Sequence, residues 1–282
     1  MLEEVCQKHG IALFLSTYYT RPSSTPSIAF IYDMIPEKLG FDLSSVAWKL
    51  KHDAIRQAKG HICISHNTAS DLSEYFSLSL DDIKVAHCGV DGNFRPATFQ
   101  ELEFIKSKYD IRKPYFLVVG ERGGYKNAGV VFSALKLLPN PAEYQIVCIG
   151  GRRELEEEFK ESASGLDILL FRVENDEIHS IYSGAIALVY PSLYEGFGLP
   201  VIEAFSCGCP VITCRSGSIP EIAGENVLYF EPTNAHDLAL GLETVQEAAA
   251  RKKLVDGGLR RSRHFSWDKM ADSIADYVFR KP

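Results

Sequence analysis

The sequence predicts an α/β protein whose parallel sheets are covered by helices on both faces. Short runs rich in Val, Ile, Phe and Tyr alternate with longer amphipathic runs along the whole chain. The short runs are continuously apolar, which is typical of parallel strands buried on both faces. With 282 residues, 46% of them hydrophobic, the chain has room for about two domains and for a core that needs no disulfides.

The first part of the chain contains fewer elements than the second. Its predicted strands cover residues 11–17, 27–34, 61–65 and 83–90. Residues 45–58 carry apolar side chains at helical spacing, and a helix over residues 67–76 begins at Asn67, a good N-cap. Residues 95–114 are charged and lack a strand pattern, so we expect a helix within a linker there. We therefore expect two domains, over residues 1–108 and 109–282.

The second part alternates more strictly. Its predicted strands cover residues 115–120, 144–150, 167–171, 185–192, 210–214 and 227–231. Its predicted helices cover residues 127–138, 152–163, 176–184, 200–208 and 234–258. A last helix, over residues 266–280, is expected to pack back on the N-terminal part. Since parallel sheets bind ligands at the carboxyl ends of their strands, we expect the chemistry just after each strand.

Charge and composition exclude several classes of function. The formal net charge is −7 and the pI about 5.7, which disfavours a nucleic-acid surface. Basic clusters at 251–253 and 260–263 are interpreted as solvated helix surface, with attraction to an anionic membrane as the alternative. The seven cysteines lack metal-site spacing and are interpreted as small core residues in a reducing compartment. No membrane span or secretory signal is apparent, so we expect a cytoplasmic protein.

The segment GERGGYKN (120–127), after the first strand of the second part, is rich in glycine and cations. Glycine lets the backbone approach a ligand closely, while Arg122, Lys126 and the following helix N-terminus each favour an anion. The pattern is neither a dinucleotide fingerprint nor a P-loop. An anion site and an ordinary glycine turn with two solvated cations fit this segment equally well when it is taken alone.

A second motif, LYEGFGLPVIEA (193–204), follows the strand at 185–192. Pro200 suits the first position of a helix, and the free N–H groups of its first turn fit a diphosphate. Glu203 lies one turn inside the helix, where a carboxylate can accept hydrogen bonds from a ribose diol, and Glu195 can accept them from a second sugar. Taken singly, Glu203 is better explained by complementation of the helix dipole, and Glu195 by a solvated loop.

Together these segments resemble the retaining GT-B glycosyltransferases, and more narrowly family 4 of those enzymes, the glycosyl transferases group 1. The diagnostic segment is YPSLYEGFGLPVIEAFSCGCPVI (190–212), and GERGGYKNAG (120–129) resembles the phosphate-binding loop. Upstream, IYDMIPEKLGFD (31–42), CISHNTASDL (63–72) and HCGVDGNFRP (87–96) match in the expected order. The resemblance covers nearly the whole chain and implies the GT-B fold, in which two Rossmann-like domains each contain a parallel sheet.

The resemblance also implies the roles of the site residues. A UDP- or GDP-linked sugar donor would bind to the C-terminal domain, with Glu203 on the ribose hydroxyls, Glu195 facing the transferred sugar and Lys126 neutralising the diphosphate. The remaining donor-binding positions, around the sugar, the diphosphate and the base, are Arg122, Gly124, Val173, Gly196, Phe197, Gly198 and Leu199. The predicted catalytic set consists of Asp33, Lys126 and Glu195. No metal or other cofactor is expected, because cationic side chains and helix dipoles replace it in this fold.

The sequence departs from the family pattern at two site positions. Many relatives carry Arg directly after the glycine that ends the strand at 115–120, where this chain has Glu121, and Arg122 is the expected substitute. Many relatives have His before Asp33, where this chain has Tyr32. Asp33 remains the candidate for proton handling or acceptor binding, and a strand-end carboxylate bonded to nearby backbone is the alternative.

The N-terminal domain is expected to be incomplete. In relatives it is about as large as the C-terminal domain and opens with a glycine-rich loop, whereas here the first recognisable segment comes almost at once. An incomplete sheet exposes an edge or an apolar face, so we expect self-association or a partner chain that supplies the missing part.

The function implied is a retaining transfer of a hexose from a nucleotide diphosphate sugar to a glycan or lipid-linked acceptor. The alternative is a catalytically weak nucleotide-sugar-binding subunit that needs a partner chain to complete its acceptor site. Peripheral contact with a membrane is a further option, and nucleic acid is not an expected partner. A nucleotide-sugar epimerase fits less well for want of an acid–base set, and an NAD dehydrogenase for want of the glycine fingerprint.

Overall fold

The computed structural model describes residues 1–280, which form two compact units. The first unit contains Met1–Gly89, Glu195–Phe197 and the chain from Trp267 onward. The second unit contains Val90–Tyr194 and Gly198–Ser266. Each unit has its own parallel sheet and its own buried core.

The strands of each unit all run parallel within their sheet. In the first unit they are β1 (Phe14–Ser16), β2 (Ser27–Ile31), β3 (Gly60–Cys63) and β4 (Ile83–Val85). In the second unit they are β5 (Tyr115–Val119), β6 (Gln145–Ile149), β7 (Ile168–Phe171), β8 (Ala187–Tyr190), β9 (Val211–Thr213) and β10 (Leu228–Tyr229). Strands β2, β3, β6, β8 and β9 are wholly buried, which explains their uninterrupted apolar sequences.

The helices fill the connections between these strands. They are α1 (Leu2–Lys8), α2 (Ile35–Lys38), α3 (Val46–Gln57), α4 (His66–Phe76), α5 (Phe99–Lys108), α6 (Gly129–Leu135), α7 (Lys160–Ala163), α8 (Ile178–Gly184), α9 (Leu199–Ser206), α10 (Ile219–Ala223), α11 (Ala235–Thr244), α12 (Ala248–Ser262) and α13 (Trp267–Arg280). The short helices α1, α2 and α10 were not predicted from the sequence. Two of them carry proline in their first turn, where its missing N–H costs no hydrogen bond.

Helix α4 begins one residue earlier than predicted. Its N-cap is Ser65, whose hydroxyl accepts from the Thr68 N–H at 3.0 Å. Asn67, the predicted cap, lies inside the first turn, and its amide donates to Asp71 at 3.0 Å. Both serine and asparagine are good caps, so composition alone did not decide between them.

The last helix, α13, belongs to the first unit. The Tyr277 hydroxyl accepts from the His61 N–H at 3.3 Å and donates to the Asp82 carbonyl at 3.0 Å. Gly60, at the start of β3, leaves room for this ring, because a Cβ atom there would lie 2.6 Å from the Tyr277 oxygen. These contacts attach α13 to the β3–β4 side of the sheet.

The units divide between Gly89 and Val90, upstream of the predicted boundary at 108/109. Helix α5 is the reason, because it packs on α8 inside the second unit. The Ala97 N–H donates to the Ser183 hydroxyl at 3.0 Å, and Lys108 pairs with Glu177. The predicted linker helix is therefore part of a core.

Two predicted helices have different bounds from those expected. The helix predicted over 234–258 is divided into α11 and α12, and Gly258 lets α12 approach α9 so closely that a Cβ atom would lie 2.6 Å from the Phe205 ring. The helix predicted over 152–163 is reduced to α7 and a preceding turn. The carbonyls of Arg152 and Glu154 accept hydrogen bonds from a buried side chain instead of from a helix backbone.

The cysteines and the basic clusters have structural roles. All seven cysteines are buried free thiols, as predicted, and burial raises the pKa of Cys148 and Cys209 to about 12. Arg251 donates to the Ile186 carbonyl and Arg261 to that of Ile222, so these two cations are not merely solvated helix surface as the sequence suggested. Within residues 1–280, no helix has the length and apolar character required to cross a bilayer.

Candidate active site

The strand order of the second unit locates a crevice. The order is β10-β9-β8-β5-β6-β7, in which the chain proceeds outward from β5 to one side and then returns to β8 on the other. This is the doubly wound order in which ligands bind outside the carboxyl ends of the two central strands. Here the central strands are β5 and β8, and the two sequence motifs follow them directly.

The first motif forms a tight turn after β5. Gly120 has φ +96° and Gly124 has φ +58°, conformations that favour glycine. Residues Gly124–Lys126 form one turn of 3₁₀ helix, which ends at Asn127 with φ +55°. Asparagine tolerates this left-handed conformation better than most residues. The turn therefore depends on the glycines and on Asn127.

The two motif loops are joined by hydrogen bonds. The Leu193 N–H, after β8, donates to the Tyr125 carbonyl at 2.8 Å. The Asn127 amide donates to the carbonyls of Pro191 at 3.3 Å and Pro232 at 2.8 Å. Sequence analysis treated Asn127 only as part of a motif, whereas the structure shows that it connects three loops at one edge of the sheet.

Lys126 places an ammonium group beside this junction. Its Nζ lies 5.0 Å from the centroid of the Tyr125 ring and 5.7 Å from that of Tyr190, at the end of β8. The side chain is half-buried, so the charge is held by aromatic faces while remaining accessible. Such a cation favours an anion at the carboxyl end of β8.

Helix α9 begins at the same edge. Its N-cap is Gly198, with φ +96°, and a Cβ atom there would lie 2.6 Å from the Ile219 side chain. Leu199, rather than Pro200, is the first helical residue, and 37% of its surface is exposed. Pro200 has no N–H and the Val201 N–H donates to the Gly198 carbonyl at 2.9 Å, so the Leu199 N–H and the helix dipole form the anion-favouring end of this eight-residue helix.

Glu203 lies one turn into α9 and has a buried partner. The Tyr182 hydroxyl of α8, fully buried, donates to Glu203 Oε2 at 2.7 Å. Burial raises the pKa of Glu203, and the hydrogen bond from Tyr182 opposes that rise. Sequence analysis missed Tyr182, because the pairing joins two helices 21 residues apart. The tyrosine fixes the orientation of the carboxylate.

A cavity of about 350 Å³ lies at the carboxyl ends of β5, β6 and β7. Its apolar walls are formed by Val119, Ile149, Val173 and Ile178. Glu121 and Arg172 also line it, and neither was predicted as a site residue from its side chain. The predicted donor-binding residue Val173 therefore lies in a cavity near the lower end of the size range for small-molecule sites.

The structure corrects the prediction for Arg122. Its side chain is fully buried, and the guanidinium pairs with both oxygens of Glu156 at 2.8 and 3.0 Å. It also donates to the carbonyls of Gly150, Arg152 and Glu154. A guanidinium used in this way cannot reach a diphosphate. Arg122 organises residues 150–156, and of the two predicted cations only Lys126 is accessible at the crevice.

Asp33 lies in the first unit, just after β2. Its Oδ1 accepts from the Ile35 N–H at 3.0 Å, the local backbone bond that was the alternative interpretation. Burial raises the pKa of Asp33, with further contributions from the carboxylates of Glu37 and Glu195. Beneath it, Lys51 donates to Glu37 at 2.9 Å and to the Asp33 carbonyl at 3.2 Å. Sequence analysis did not identify this buried ion pair.

The segment Glu195–Phe197 packs within the first unit. The Gly196 carbonyl accepts from the hydroxyls of Ser65 at 2.7 Å and Thr68 at 3.1 Å. A Cβ atom at Gly196 would collide with the Tyr32 carbonyl oxygen, so only glycine fits. Glu195 itself is 7% exposed. Gly196 was predicted as a site residue because its backbone could approach a ligand, and in the structure a glycine is required there for close packing.

The predicted site residues therefore fall into two groups. The carboxyl edge of the second unit's sheet contains Gly124, Lys126, Val173, Gly198, Leu199 and Glu203. The first unit contains Asp33, Glu195, Gly196 and Phe197. Each unit supplies at least one carboxylate, and the second unit also supplies the accessible cation, Lys126.

A doubly wound sheet with a cationic turn and a helix N-terminus after its two central strands defines an α/β protein that can bind a ligand at that edge of the sheet. Residues 99–258 match the family described as glycosyl transferases group 1. The match covers more than half of the chain, and the chain belongs to that family. The predicted family is confirmed.

Curated relatives share moderate identity with the chain. The O-antigen chain mannosyltransferase B of Escherichia coli is 27% identical over 229 residues, which are 78% of this chain and 60% of that protein. The sulfoquinovosyl transferase SQD2 of Arabidopsis thaliana is 25% identical over 271 residues, which are 92% of this chain and 52% of that protein. The chain thus spans about half to three-fifths of the length of these relatives.

Solved structures share the fold. Anabaena HepE in complex with UDP-glucose matches with a TM-score of 0.81 at 16% identity, over 98% of this chain and 81% of that chain. The sucrose-phosphate synthase from Thermosynechococcus elongatus matches with a TM-score of 0.80 at 18% identity, over 99% and 75% of the two chains. The predicted GT-B fold is confirmed.

Proposed function

We propose that this protein is a retaining glycosyltransferase that moves a hexose from a nucleotide diphosphate sugar to a glycan or lipid-linked acceptor. One observation carries most of the weight: the Lys126 loop and the loop that leads towards α9 follow the two central strands, β5 and β8, and the Leu193–Tyr125 hydrogen bond joins these two loops. Membership in the glycosyl transferases group 1 supports the same conclusion.

We assign every part of the donor, from the base to the diphosphate, to the second unit. The cavity lined by Val173 takes the base, and Glu203, held by Tyr182, accepts hydrogen bonds from the ribose diol. Lys126, the Leu199 N–H and the dipole of α9 bind the diphosphate. These groups neutralise an anion through side-chain charge and a helix dipole, so we propose binding without a metal ion.

The chemical step follows from the charge that develops on the diphosphate. The bond between the anomeric carbon and the leaving oxygen breaks, and an acceptor hydroxyl oxygen forms the new bond on the same face. The acceptor's proton passes to the leaving phosphate. Lys126 and the α9 N-terminus stabilise the negative charge as it grows, and a preorganised donor of this kind typically contributes ~10²–10³ in rate.

Asp33 and Glu195 complete the proposed catalytic set from the first unit. The raised pKa of Asp33 is typical of a carboxyl group at a functional site, and Glu195 is almost fully buried. We assign Glu195 to the transferred sugar and Asp33 to the acceptor. The curated relatives named as mannosyltransferases make mannose the first sugar to test.

The test is transfer by the purified chain. The chain is incubated with UDP- and GDP-linked hexoses and with oligosaccharide and lipid-linked acceptors, and products are detected by mass spectrometry. One donor should give an acceptor heavier by one hexose, and NMR of the new linkage should show the anomeric configuration of the donor. Inversion would refute the retaining mechanism. Absence of nucleoside diphosphate binding would refute the donor site itself.

A second candidate function follows from the edge of the first sheet. Strand β1 pairs only with β2 among the strands of residues 1–280, so its outer edge is open to another strand. The second candidate is therefore a nucleotide-sugar-binding subunit that acts only with a partner chain or a second copy. Light scattering at micromolar concentration should then show a dimer, and transfer by a monomer would refute this candidate.

We also propose a cytoplasmic location with peripheral membrane contact. Lys252, Lys253 and Arg263 lie on the exposed side of α12 and its end, where they can meet anionic lipid headgroups. Co-sedimentation with phosphatidylglycerol vesicles tests this contact, and it should weaken as salt is raised.

A further inference from the structure

The first unit contains a cavity that the donor site does not use. Its volume is about 350 Å³, near the lower end of the range for small-molecule sites. Four aromatic side chains, one carboxylate and one ammonium group line it: Tyr18, Tyr19, Tyr32, Trp48, Asp33 and Lys51. They come from the loops after β1 and β2 and from the first turns of α3. None of the four aromatic residues belongs to the predicted site.

The aromatic walls are arranged around a buried cation. The Lys51 ammonium lies 5.5 Å from the centroids of both the Tyr19 and Trp48 rings. The lysine is 1% exposed and pairs with the buried Glu37 carboxylate at 2.9 Å. The positive charge of Lys51 is therefore already balanced by Glu37. Asp33 adds a further carboxylate to the wall of the cavity.

This charge pattern limits the ligand. A quaternary ammonium ion favours aromatic walls, but Lys51 already occupies the faces of two of them and would repel it. An anion would meet the Asp33 carboxylate while the lysine charge is neutralised by Glu37. A purely apolar ligand would bury Asp33 with no hydrogen-bonding partner beyond the Ile35 N–H, which is costly. A neutral ligand with apolar faces and several hydroxyl donors meets all three conditions.

Backbone conformation also marks the cavity wall. Tyr19 has φ +47°, a left-handed conformation that a bulky residue rarely adopts. Its ring meets that of Tyr18 at a centroid distance of 5.3 Å, and Tyr18 remains 73% exposed. A strained residue beside an exposed aromatic ring is more typical of a ligand-binding loop than of a packed core.

We propose that this cavity is a saccharide subsite that takes a neutral pyranose unit of the acceptor. The C–H faces of the sugar ring pack on Tyr18 and Trp48, and its hydroxyl groups donate to the Asp33 carboxylate. The inference rests on the proposed function and makes it more specific, because it identifies the group next to the reacting end of the acceptor as a sugar rather than a lipid chain.

The first experiment measures binding without any sugar nucleotide. The chain contains two tryptophans, so Trp267→Phe leaves Trp48 as the fluorescent reporter. Methyl α-D-mannopyranoside and methyl α-D-glucopyranoside are titrated, with choline and inorganic phosphate as counter-probes. At least one glycoside should change Trp48 emission saturably in the millimolar range, and the counter-probes should not. Saturation by choline or phosphate alone would overturn the inference.

Two variants test the named contacts. Tyr18→Ala removes an exposed ring from a loop and should weaken glycoside binding roughly tenfold, the effect expected for losing one aromatic face. Asp33→Asn keeps the shape of the side chain and should weaken binding by removing charge-assisted acceptance. The matched control is Phe99→Ala, a 76% exposed aromatic residue of the second unit, which should leave binding unchanged. Equal affinity in wild type and Tyr18→Ala would overturn the inference.

A kinetic arm separates this inference from the proposed function. With a transferring acceptor, Tyr18→Ala should raise the acceptor KM about tenfold, in line with the weaker binding. Transfer with an unchanged KM would overturn the saccharide subsite and leave the glycosyltransferase intact. Glycoside binding that depends on Tyr18 in a chain that transfers no sugar would support the subsite and count against the proposed function.

Discussion

Replacing Tyr182 by Phe tests how the Glu203 carboxylate is held for its proposed contact with the ribose. The substitution removes a single hydroxyl group from a fully buried ring, so the phenyl group fills the same space and leaves no large cavity. The lost interaction is the 2.7 Å hydrogen bond to Glu203 Oε2. A hydrogen bond to a charged group contributes about 1.5–3 kcal/mol, and we expect the free energy of unfolding to fall by that amount at pH 7.

The pH dependence of this loss follows from the pKa of Glu203. Burial raises that pKa in the folded protein, and the hydrogen bond from Tyr182 lowers it. Loss of this hydrogen bond therefore raises the pKa of Glu203 further. A raised folded-state pKa contributes stability that is fully present below the unfolded pKa, about 4.3, and is lost as pH rises through the folded value. The destabilisation caused by Tyr182→Phe should therefore be largest above the folded-state pKa of Glu203, shrink as the pH falls through that raised pKa, and be small by about pH 4.

Urea unfolding at pH 7 and pH 4, with calorimetry of UDP and GDP binding, measures both effects. A double-mutant cycle with Glu203→Gln should give a coupling free energy of at least about 1.5 kcal/mol. Tyr144→Phe is the control, because its hydroxyl meets the neutral Gln246 at an exposed site, and the expected loss is below about 0.5 kcal/mol. Additive effects of Tyr182→Phe and Glu203→Gln, or a loss that is the same at both pH values, would refute the reasoning.

The remaining predictions concern the phosphate loop, the corrected arginine, the helix cap and the thiols. Lys126→Ala should reduce the rate of transfer ~10²–10³-fold in single-turnover kinetics. The control is Lys106→Ala, which removes a lysine from an exposed surface ion pair and should leave the rate unchanged. Arg122→Met should lower the free energy of unfolding in urea by about 3–5 kcal/mol, because it leaves the Glu156 carboxylate unpaired. The folded fraction of this variant should still bind nucleotide normally. A selective loss of nucleotide affinity would instead place Arg122 in the donor site. Gly198→Ala should lower the thermal midpoint and weaken UDP or GDP binding, because an alanine at φ +96° costs about 1–2 kcal/mol before its contact with Ile219 is counted. With a thiol pKa of about 12, Cys148 should resist Ellman's reagent at pH 8 in the native protein and react in urea, and rapid native labelling would contradict its burial.

Local patterns predicted the elements well where a single physical cause dominated. Strands such as β6 and β8 are buried on both faces, so their sequences are continuously apolar and mark them unambiguously. Helix bounds were less predictable when a tertiary contact competed with propensity. Residues 152–156 have a helical composition, but the Arg122 guanidinium takes the Arg152 and Glu154 carbonyls and keeps the chain irregular.

The candidate site shows the same division. The glycines at 120, 124 and 198 adopt positive φ, which is why a sequence search for bare backbone finds them. The partners of the acidic residues were not predictable, because Tyr182 reaches Glu203 from a neighbouring helix and Lys51 lies beneath Asp33 from α3. These pairs join residues with no shared local pattern.

The sequence by itself determined the α/β class and the positions of the two glycine-rich motifs, because periodicity, glycine content and capping preferences act within a few residues of each other. The family followed from the resemblance of five sequence segments to its known pattern. Only the tertiary structure decided which cation is accessible. Arg122 and Lys126 are four residues apart and chemically alike, yet one is fully buried against Glu156 and the other stands beside Tyr125 at the crevice. The same holds for the aromatic cavity, whose rings come from separate loops. Burial and pairing depend on contacts between distant parts of the chain, so no local pattern specifies them.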